Sequence, residues 1–305
     1  LNIRPHSLVN RVIYGENKQR ATGVEIIDAQ TKQTEVFHAR IIFLNAATLA
    51  TTFILLNSVS ARFPNGLGNG SGQVGRNLMD HHKGISVTAD VEGFLDRYYY
   101  GRRPTGVYIP RFRNIDSQSP QFLRGYHFGG SAVRVANGAD VPVGADLKSS
   151  MTEPGNWQMG IYAFGETLPY NDNKATLDHN KKDSWGRPVL SVDCEFKENE
   201  LKMAEDIKVT GQEMLAAAGY KNIKVNGAIS FPGNANHEMG TARMGTDPKT
   251  SVLNAFNQMH EVPNVFITDG SCMTSGSCVN PSITYMALTA RACDYAVAQL
   301  KKQNI

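Results

Sequence analysis

Apolar and polar positions alternate along the first thirty residues. Residues 7–14 (SLVNRVIY) and 21–28 (ATGVEIID) carry the period of two expected of half-buried strands, with Gly-Glu-Asn as the turn between them. Residues 39–44 (ARIIFL) form a continuous apolar run instead, the pattern of a short strand buried on both faces. Asn45-Ala46-Ala47 breaks that run, and residues 49–56 read as a helix. A buried strand, a small-residue turn and a helix, in that order, make one piece of an α/β nucleotide-binding sheet.

Residues 60–77 are a loop rich in Gly and Asn. Within it, residues 70–75 (GSGQVG) match GxGxxG. No strand leads into the match, and no helix with an acidic residue about 20 positions on follows it, so we reject a dinucleotide fingerprint there. From about 84 to 195 the pattern changes. Strand-like runs recur at 85–91, 106–112, 122–133 and 157–167 with Gly and Pro between them, predicting a second, mainly antiparallel sheet. Aromatic residues are dense here: Tyr98, Tyr99, Tyr100, Tyr108, Tyr126, Trp157 and Tyr162. Aromatic faces suit sugar rings or other flat ligands, although sheet packing explains each ring taken singly. Residues 198–218 predict an amphipathic helix, marked by Leu201, Ala204, Glu205, Lys208, Gln212 and Leu215 and ended by Gly219. That helix is scaffold. No internal repeat or low-complexity tract occurs.

Composition narrows the class. With 41% hydrophobic and 19% charged residues in 305, the chain is globular and long enough for one large domain or two ordinary ones. The net charge of +3 is spread out, without a basic stripe, which argues against a nucleic-acid partner. Cys194, Cys272, Cys278 and Cys293 form no CxxC pair and have no histidine at ligand spacing, so we expect small buried side chains and no metal site. Leu1 opens directly into strand-like sequence without an initiator Met or signal pattern, the expectation for a fragment or processed product. Localisation is therefore open between cytoplasm and periplasm. The most apolar stretch, residues 41–56, is interrupted by Asn45 and threonines and is shorter than the ~20 residues of a spanning helix, so a soluble protein is expected.

Candidate chemistry lies in the last 75 or so residues. Residues 262–269 (VPNVFITD) predict a short strand ending in Asp269-Gly270, at the strand end where open α/β sheets bind ligands. An Asp there accepts hydrogen bonds from ribityl or ribose hydroxyls, and a Gly lets backbone approach closely; a plain turn is the alternative. In Val279-Asn280-Pro281-Ser282-Ile283-Thr284, Asn280 reads as an N-cap and Pro281 as the first position of a helix to about residue 300. The amides of Ser282 and Ile283 then form a partly positive end suited to an anion or carbonyl, although a merely capped helix would read the same. His237-Glu238-Met239-Gly240-Thr241-Ala242-Arg243-Met244-Gly245 places a histidine in a glycine-containing loop. A lone histidine is more often structural than catalytic.

Together, HEMGTARMG, VPNVFITDG and SGSCVNPSITYMAL resemble the closing segment of the glucose–methanol–choline (GMC) flavoprotein oxidoreductases. The 43-position spacing of His237 and Asn280 is similar to that of the family's catalytic His and its His-or-Asn partner. Upstream, Ser7-Leu8-Val9 resembles the strand whose backbone meets the adenine, residues 43–58 the strand–turn–helix, and residues 72–81 (GQVGRNLMDH) the loop before the substrate domain. Residues 173–192, with Thr176-Leu177-Asp178 and Asp183-Ser184-Trp185-Gly186, resemble the gluconate and glucoside dehydrogenase branch.

This resemblance implies an α/β (α+β) fold: an incomplete Rossmann-like FAD-binding domain plus a mainly antiparallel-sheet substrate domain. Residues 1–83 would be the C-terminal portion of the FAD-binding domain and 84–230 the substrate-binding domain, and 231–305 would return to the first with the active-site residues. The implied cofactor is FAD, met by Val9, Ala46, Ala47, Asp269, Gly270, Pro281, Ser282 and Ile283. His237 would take a hydroxyl proton as general base, Asn280 would hold the substrate oxygen, and a hydride would pass to flavin N5. The implied partners are a small sugar or alcohol and an electron acceptor, a cytochrome or a quinone. Two departures stand out. The family's N-terminal βαβ unit with its flavin-phosphate glycine loop is absent, so a missing N-terminal FAD-binding segment is a further expected partner. The turn at 45–48 reads Asn-Ala-Ala-Thr where Ala-Ala-Gly-Ala is usual. Two other readings stay open: a non-catalytic sugar-binding or structural C-terminal fragment, and a metal hydrolase using Asp80, His81 and His82. Adjacent histidines point in different directions, which makes the second awkward.

Overall fold

The alternating segments at the start form an antiparallel pair, β1 (Ser7–Gly15) and β2 (Arg20–Asp28), joined through a 3₁₀ turn. The structure, a computed structural model, describes residues 1–97, 106–118, 121–136, 143–152 and 154–305. A third strand, β3 (Thr34–His38), pairs with β2 and gives the order β1-β2-β3. Every residue of β3 is exposed, so it has no buried face to generate a periodic signal.

The apolar run contracts to β4 (Ile42–Leu44), followed by α1 (Thr48–Asn57). β4 pairs in parallel with β12 (Val265–Ile267), whose three residues are fully buried, as expected of a parallel strand covered on both faces. Ile42, Leu44, Ile54, Leu55, Val265 and Ile267 share one core cluster.

The turn between β4 and α1 is strained. Ala47 lies at φ 69° and ψ 158°, a region that is essentially glycine-only. Its side chain stands where the resembled pattern has glycine. Relief of about 1–3 kcal/mol of strain outweighs the unfolded-chain entropy of a glycine. Ala47→Gly should therefore raise stability by about 1 kcal/mol, read as a higher denaturant midpoint at unchanged slope. An equal or lower midpoint would refute the strain.

The second sheet is antiparallel throughout, as its strand spacing predicts. Its strands are β5 (Ser86–Val91), β6 (Val107–Ile109), β7 (Tyr126–Ala136), β8 (Pro154–Gly165) and β11 (Lys221–Asn226), in the order β11-β5-β8-β7-β6. One face packs on α3 (Glu198–Ala217): Val87, Phe128, Ile161 and Ala163 meet Met203, Ala204, Ile207 and Leu215. Each large apolar side chain buried there contributes roughly 1.5–3 kcal/mol. The core face of α3 differs from the sequence reading at Leu201, which is 50% exposed; Met203 and Ile207 take the inward positions. Gly219 ends this helix region at φ +81°.

A hairpin of β9 (Lys174–Lys182) and β10 (Pro188–Asp193) docks against α1 and the first sheet. Trp185 Nε1 donates to Ala29 O at 3.3 Å, and the Arg187 guanidinium lies 4.8 Å from the Phe53 ring centre. The remaining helices are the short α2 (Ala145–Ser150) and α4 (Ser282–Lys301), which lays Ala292 and Ala296 over Phe266 of β12. Among the described residues, no helix is long and apolar enough to cross a membrane. The four cysteines are free, with Cys272 and Cys278 buried.

Candidate active site

His237 belongs to neither a helix nor a strand, so its position is set by hydrogen bonds to distant chain. The anchor is Asp80, only 2% exposed. Its Oδ2 accepts from the amides of Gly233 (2.8 Å) and Ala235 (3.1 Å), and its Oδ1 from those of His81 (2.8 Å) and His237 (3.1 Å). Three amides of the loop, together with that of His81, thus gather around one carboxylate. Met79 and Met239 exchange backbone hydrogen bonds at 2.9 Å each way, and Gly240 and Ala242 donate to Gly270 O and Ser271 O. Gly240 is required in this layer: its φ is +89°, and a Cβ would stand 2.0 Å from Asn77 O.

This packing brings three side chains together. His81 Nδ1 and His237 Nδ1 are 3.0 Å apart, His81 Nε2 lies 3.1 Å from Gly276 O, and Asn280 Nδ2 lies 3.1 Å from His237 Nε2. The expected pairing of His237 with Asn280 is present as a direct contact. The expected N-cap is not. α4 begins at Ser282, Pro281 occupies the cap position, and no side chain caps the helix, because the Asn280 amide is turned to His237 instead. The first amides of α4 are left open, with Ser282, Ile283 and Thr284 exposed.

His81 escaped the sequence reading as a partner of His237; its only local sign is the Asp80-His81-His82 triplet. Burial holds its ring below the ordinary imidazole range, and His237 adds to this against the pull of the Gly276 carbonyl and Asp80. His82 is pushed down to about 3, first by burial and then by His81, and its Nε2 faces Met203 Sδ at 3.2 Å. Asp80 thus holds backbone amides, His81 meets His237 and Gly276 O, and His82 faces Met203. Among the described residues no group of three or more His, Cys, Asp or Glu side chains is placed to hold a metal ion.

The face of the second sheet opposite α3 closes the site. In its register His127 pairs with Phe164, and Gly129 with Tyr162 and Tyr108, so the four ring-bearing residues share that face. Ring centroids run Tyr108–His127 4.8 Å, His127–Phe164 5.3 Å, Phe164–Tyr162 5.9 Å and Phe164–His237 6.0 Å. Gly129 makes room for the row: a Cβ there would lie 2.8 Å from the Tyr162 ring. His127 Nδ1 meets Cys278 O, and burial lowers its affinity for a proton. Of the other predicted aromatics, Tyr126 lies in the α3 core and bonds Asp206, and Trp157 donates to Phe94 O at 2.8 Å. Tyr98, Tyr99 and Tyr100 lie outside the described residues.

The remaining predicted residues fall into two groups. Val9 and Ala46 line one cleft of ≈ 490 Å³ between β1, α1 and the β9–β10 hairpin. Ala47 is exposed beside it. Asp269 and Gly270 sit at the carboxyl end of β12, but the Asp269 carboxylate is engaged inside the protein. It accepts from Ser271 N (3.0 Å), from Ser271 Oγ and from Thr51 Oγ1 (2.5 Å), while burial pushes its carboxyl upward despite these bonds. It ties the start of α1 to the turn after β12, which the ribityl-binding expectation for this side chain did not anticipate. Gly270 is confined as well: a Cβ would meet Glu238 O and Thr48 Oγ1, both at 2.4 Å.

Residues 1–83 and 169–289 match two family models, both described as GMC oxidoreductase. The 2-methyl-1,2-propanediol dehydrogenase of Mycolicibacterium austroafricanum is 32% identical over 96% of this chain and 54% of its own length. The gluconate 2-dehydrogenase flavoprotein of Pantoea cypripedii is 28% identical over 94% of this chain and 49% of its own length. The chain thus spans about half the length of these curated relatives. Among solved structures, a variant of the formate oxidase of Aspergillus oryzae RIB40 superposes with TM-score 0.67 at 17% identity, over 99% of this chain and 61% of that one. With the family models covering β1 to α1 at one end and the His237 loop at the other, and relatives aligned along nearly all of it, the chain belongs to the GMC oxidoreductase family.

Proposed function

We propose that this chain supplies the substrate-facing site of an FAD-dependent dehydrogenase or oxidase that oxidises a hydroxyl group of a sugar, glucoside or other alcohol. The observation that carries the reading is the His237–Asn280 pair, 3.1 Å apart, beside the uncapped start of α4. The relatives support it: one is named for a diol, the second is a flavoprotein acting on gluconate, and the formate oxidase structure concerns modification of FAD.

The residues present fit a flavin. The open amides of Ser282 and Ile283 give a partly positive helix end, suited to the pyrimidine edge of the ring system, where reduction places negative charge. Val9, Ala46 and Ala47 would meet the adenine side, where their small or backbone surfaces border a cleft. When bound, FAD would supply the acceptor for the hydride of the oxidised carbon. The chain's own residues do the rest. His237 takes the hydroxyl proton as general base. Asn280 hydrogen-bonds the substrate oxygen and orients it. Tyr108, Tyr162 and Phe164 offer ring faces to the apolar side of a sugar. With FAD bound, its electrons would pass to a cytochrome or quinone carrier, a reading that the dehydrogenase names of these two relatives favour over oxygen.

The test is the visible absorption spectrum of the purified holoenzyme before and after a simple glucoside or a diol is added without oxygen. A flavin band that bleaches on addition is the expected result. A protein without such a band, or with one that no hydroxyl substrate bleaches, would overturn the proposal.

A further inference from the structure

We infer that His81 is a positioning residue that fixes the tautomer of His237, leaving the Nε2 lone pair of His237 facing Asn280 and the substrate. The inference rests on the reading of His237 as the base and adds the device that makes it one.

The proton count follows from the partners. Gly276 O has no hydrogen to give, so the 3.1 Å contact requires a proton on His81 Nε2. His81 is fully buried, which disfavours a second, charging proton on its ring, so with Nε2 protonated its Nδ1 presents the lone pair. The 3.0 Å contact between the two Nδ1 atoms needs one proton between them, and His237 is the ring that can supply it. His237 therefore carries its proton on Nδ1, and Nε2 accepts. The Asn280 amide nitrogen, which can only donate, meets that atom at 3.1 Å. In the other tautomer two lone pairs would face each other at 3.0 Å, and Asn280 would confront an N–H. The His81 ring has little freedom to turn: it stacks on Phe164 at 6.1 Å, its amide is held by Asp80, and it meets His237 edge to face at 5.0 Å. A base must present a lone pair where the proton leaves, and a buried partner on the other ring nitrogen is how proteins choose which nitrogen that is.

The test uses protein labelled with 15N-histidine. The chain has 8 histidines, and the His237 signals are those lost in His237→Ala. Long-range 1H–15N spectra report which nitrogen of each ring is protonated, without substrate or turnover. The expected result is Nδ1–H for His237 in the wild type and in His81→Asn, whose Oδ1 stands where Nδ1 stood. In His81→Leu the proton should move to Nε2 or exchange between the two sites. Turnover per KM should fall about 10–10²-fold in His81→Leu and recover in His81→Asn. An Nε2–H form in the wild type, or an unchanged tautomer in His81→Leu, would overturn the inference. Should His81→Leu not fold, the wild-type and His81→Asn spectra decide. A fixed Nδ1–H form in a protein that oxidises no hydroxyl would sink the proposed function and leave the tautomer assignment standing.

Discussion

Replacing His237 by Ala in the holoenzyme should lower turnover of a hydroxyl substrate by about 10²-fold or more, while bound flavin and the unfolding midpoint stay near wild type. The size follows from the role: general-base catalysis contributes about 10²–10⁴-fold. The intact fold follows from the position. His237 is half-buried on a loop held by its backbone, and the bond from its amide to Asp80 survives truncation at Cβ. The variant removes the proposed proton acceptor but none of the amide groups that hold the loop. Turnover within a few-fold of wild type would remove His237 from the chemistry. A large fall in midpoint would recast it as structural.

Asp80→Ala should lower stability as well as activity. Four amides lose their acceptor at once, and those of His81, Ala235 and His237 lie at buried or half-buried residues. An unsatisfied buried donor costs about 1–3 kcal/mol, and rearrangement with water recovers part of it. The expected loss is about 3–5 kcal/mol, a fall in Tm of roughly 5–8 °C. Asp80→Asn keeps one carbonyl oxygen and should lie between wild type and Asp80→Ala. Hydrogen exchange provides the local measurement: the amides of 233, 235 and 237 should lose protection in Asp80→Ala. Protection equal to wild type at those three positions would show that something other than this carboxylate holds the loop. Activity should fall too, because His237 loses the backbone frame that aims it at Asn280.

Several features were legible locally because local burial leaves a period. β1, β2 and the strands of the second sheet alternate or run apolar, α3 has a buried face and a glycine behind it, and the strand–turn–helix of β4 and α1 reads directly from residues 39–56. β3 left no trace because both of its faces meet solvent. The His237–Asn280 pairing was visible only through resemblance, since nothing in either segment taken alone requires the other.

The sequence by itself determined the kinds of element, the antiparallel second sheet, and the three segments near the C-terminus that carry the candidate site residues. Tertiary structure decided how they are joined. It paired β4 with β12, where Asn45 Oδ1 accepts from the Thr268 amide 223 positions away at 3.1 Å. It turned Asp269 inward to Thr51, moved Asn280 from helix cap to His237 partner, and set Asp80 and His81 beside a loop more than 150 positions on. The physical reason is range. Periodicity records which side of an element is buried, a property of neighbours in sequence. A hydrogen bond between distant segments depends on how whole layers pack, and a polar side chain reads the same in sequence whether its partner is water, a capped amide or a catalytic ring.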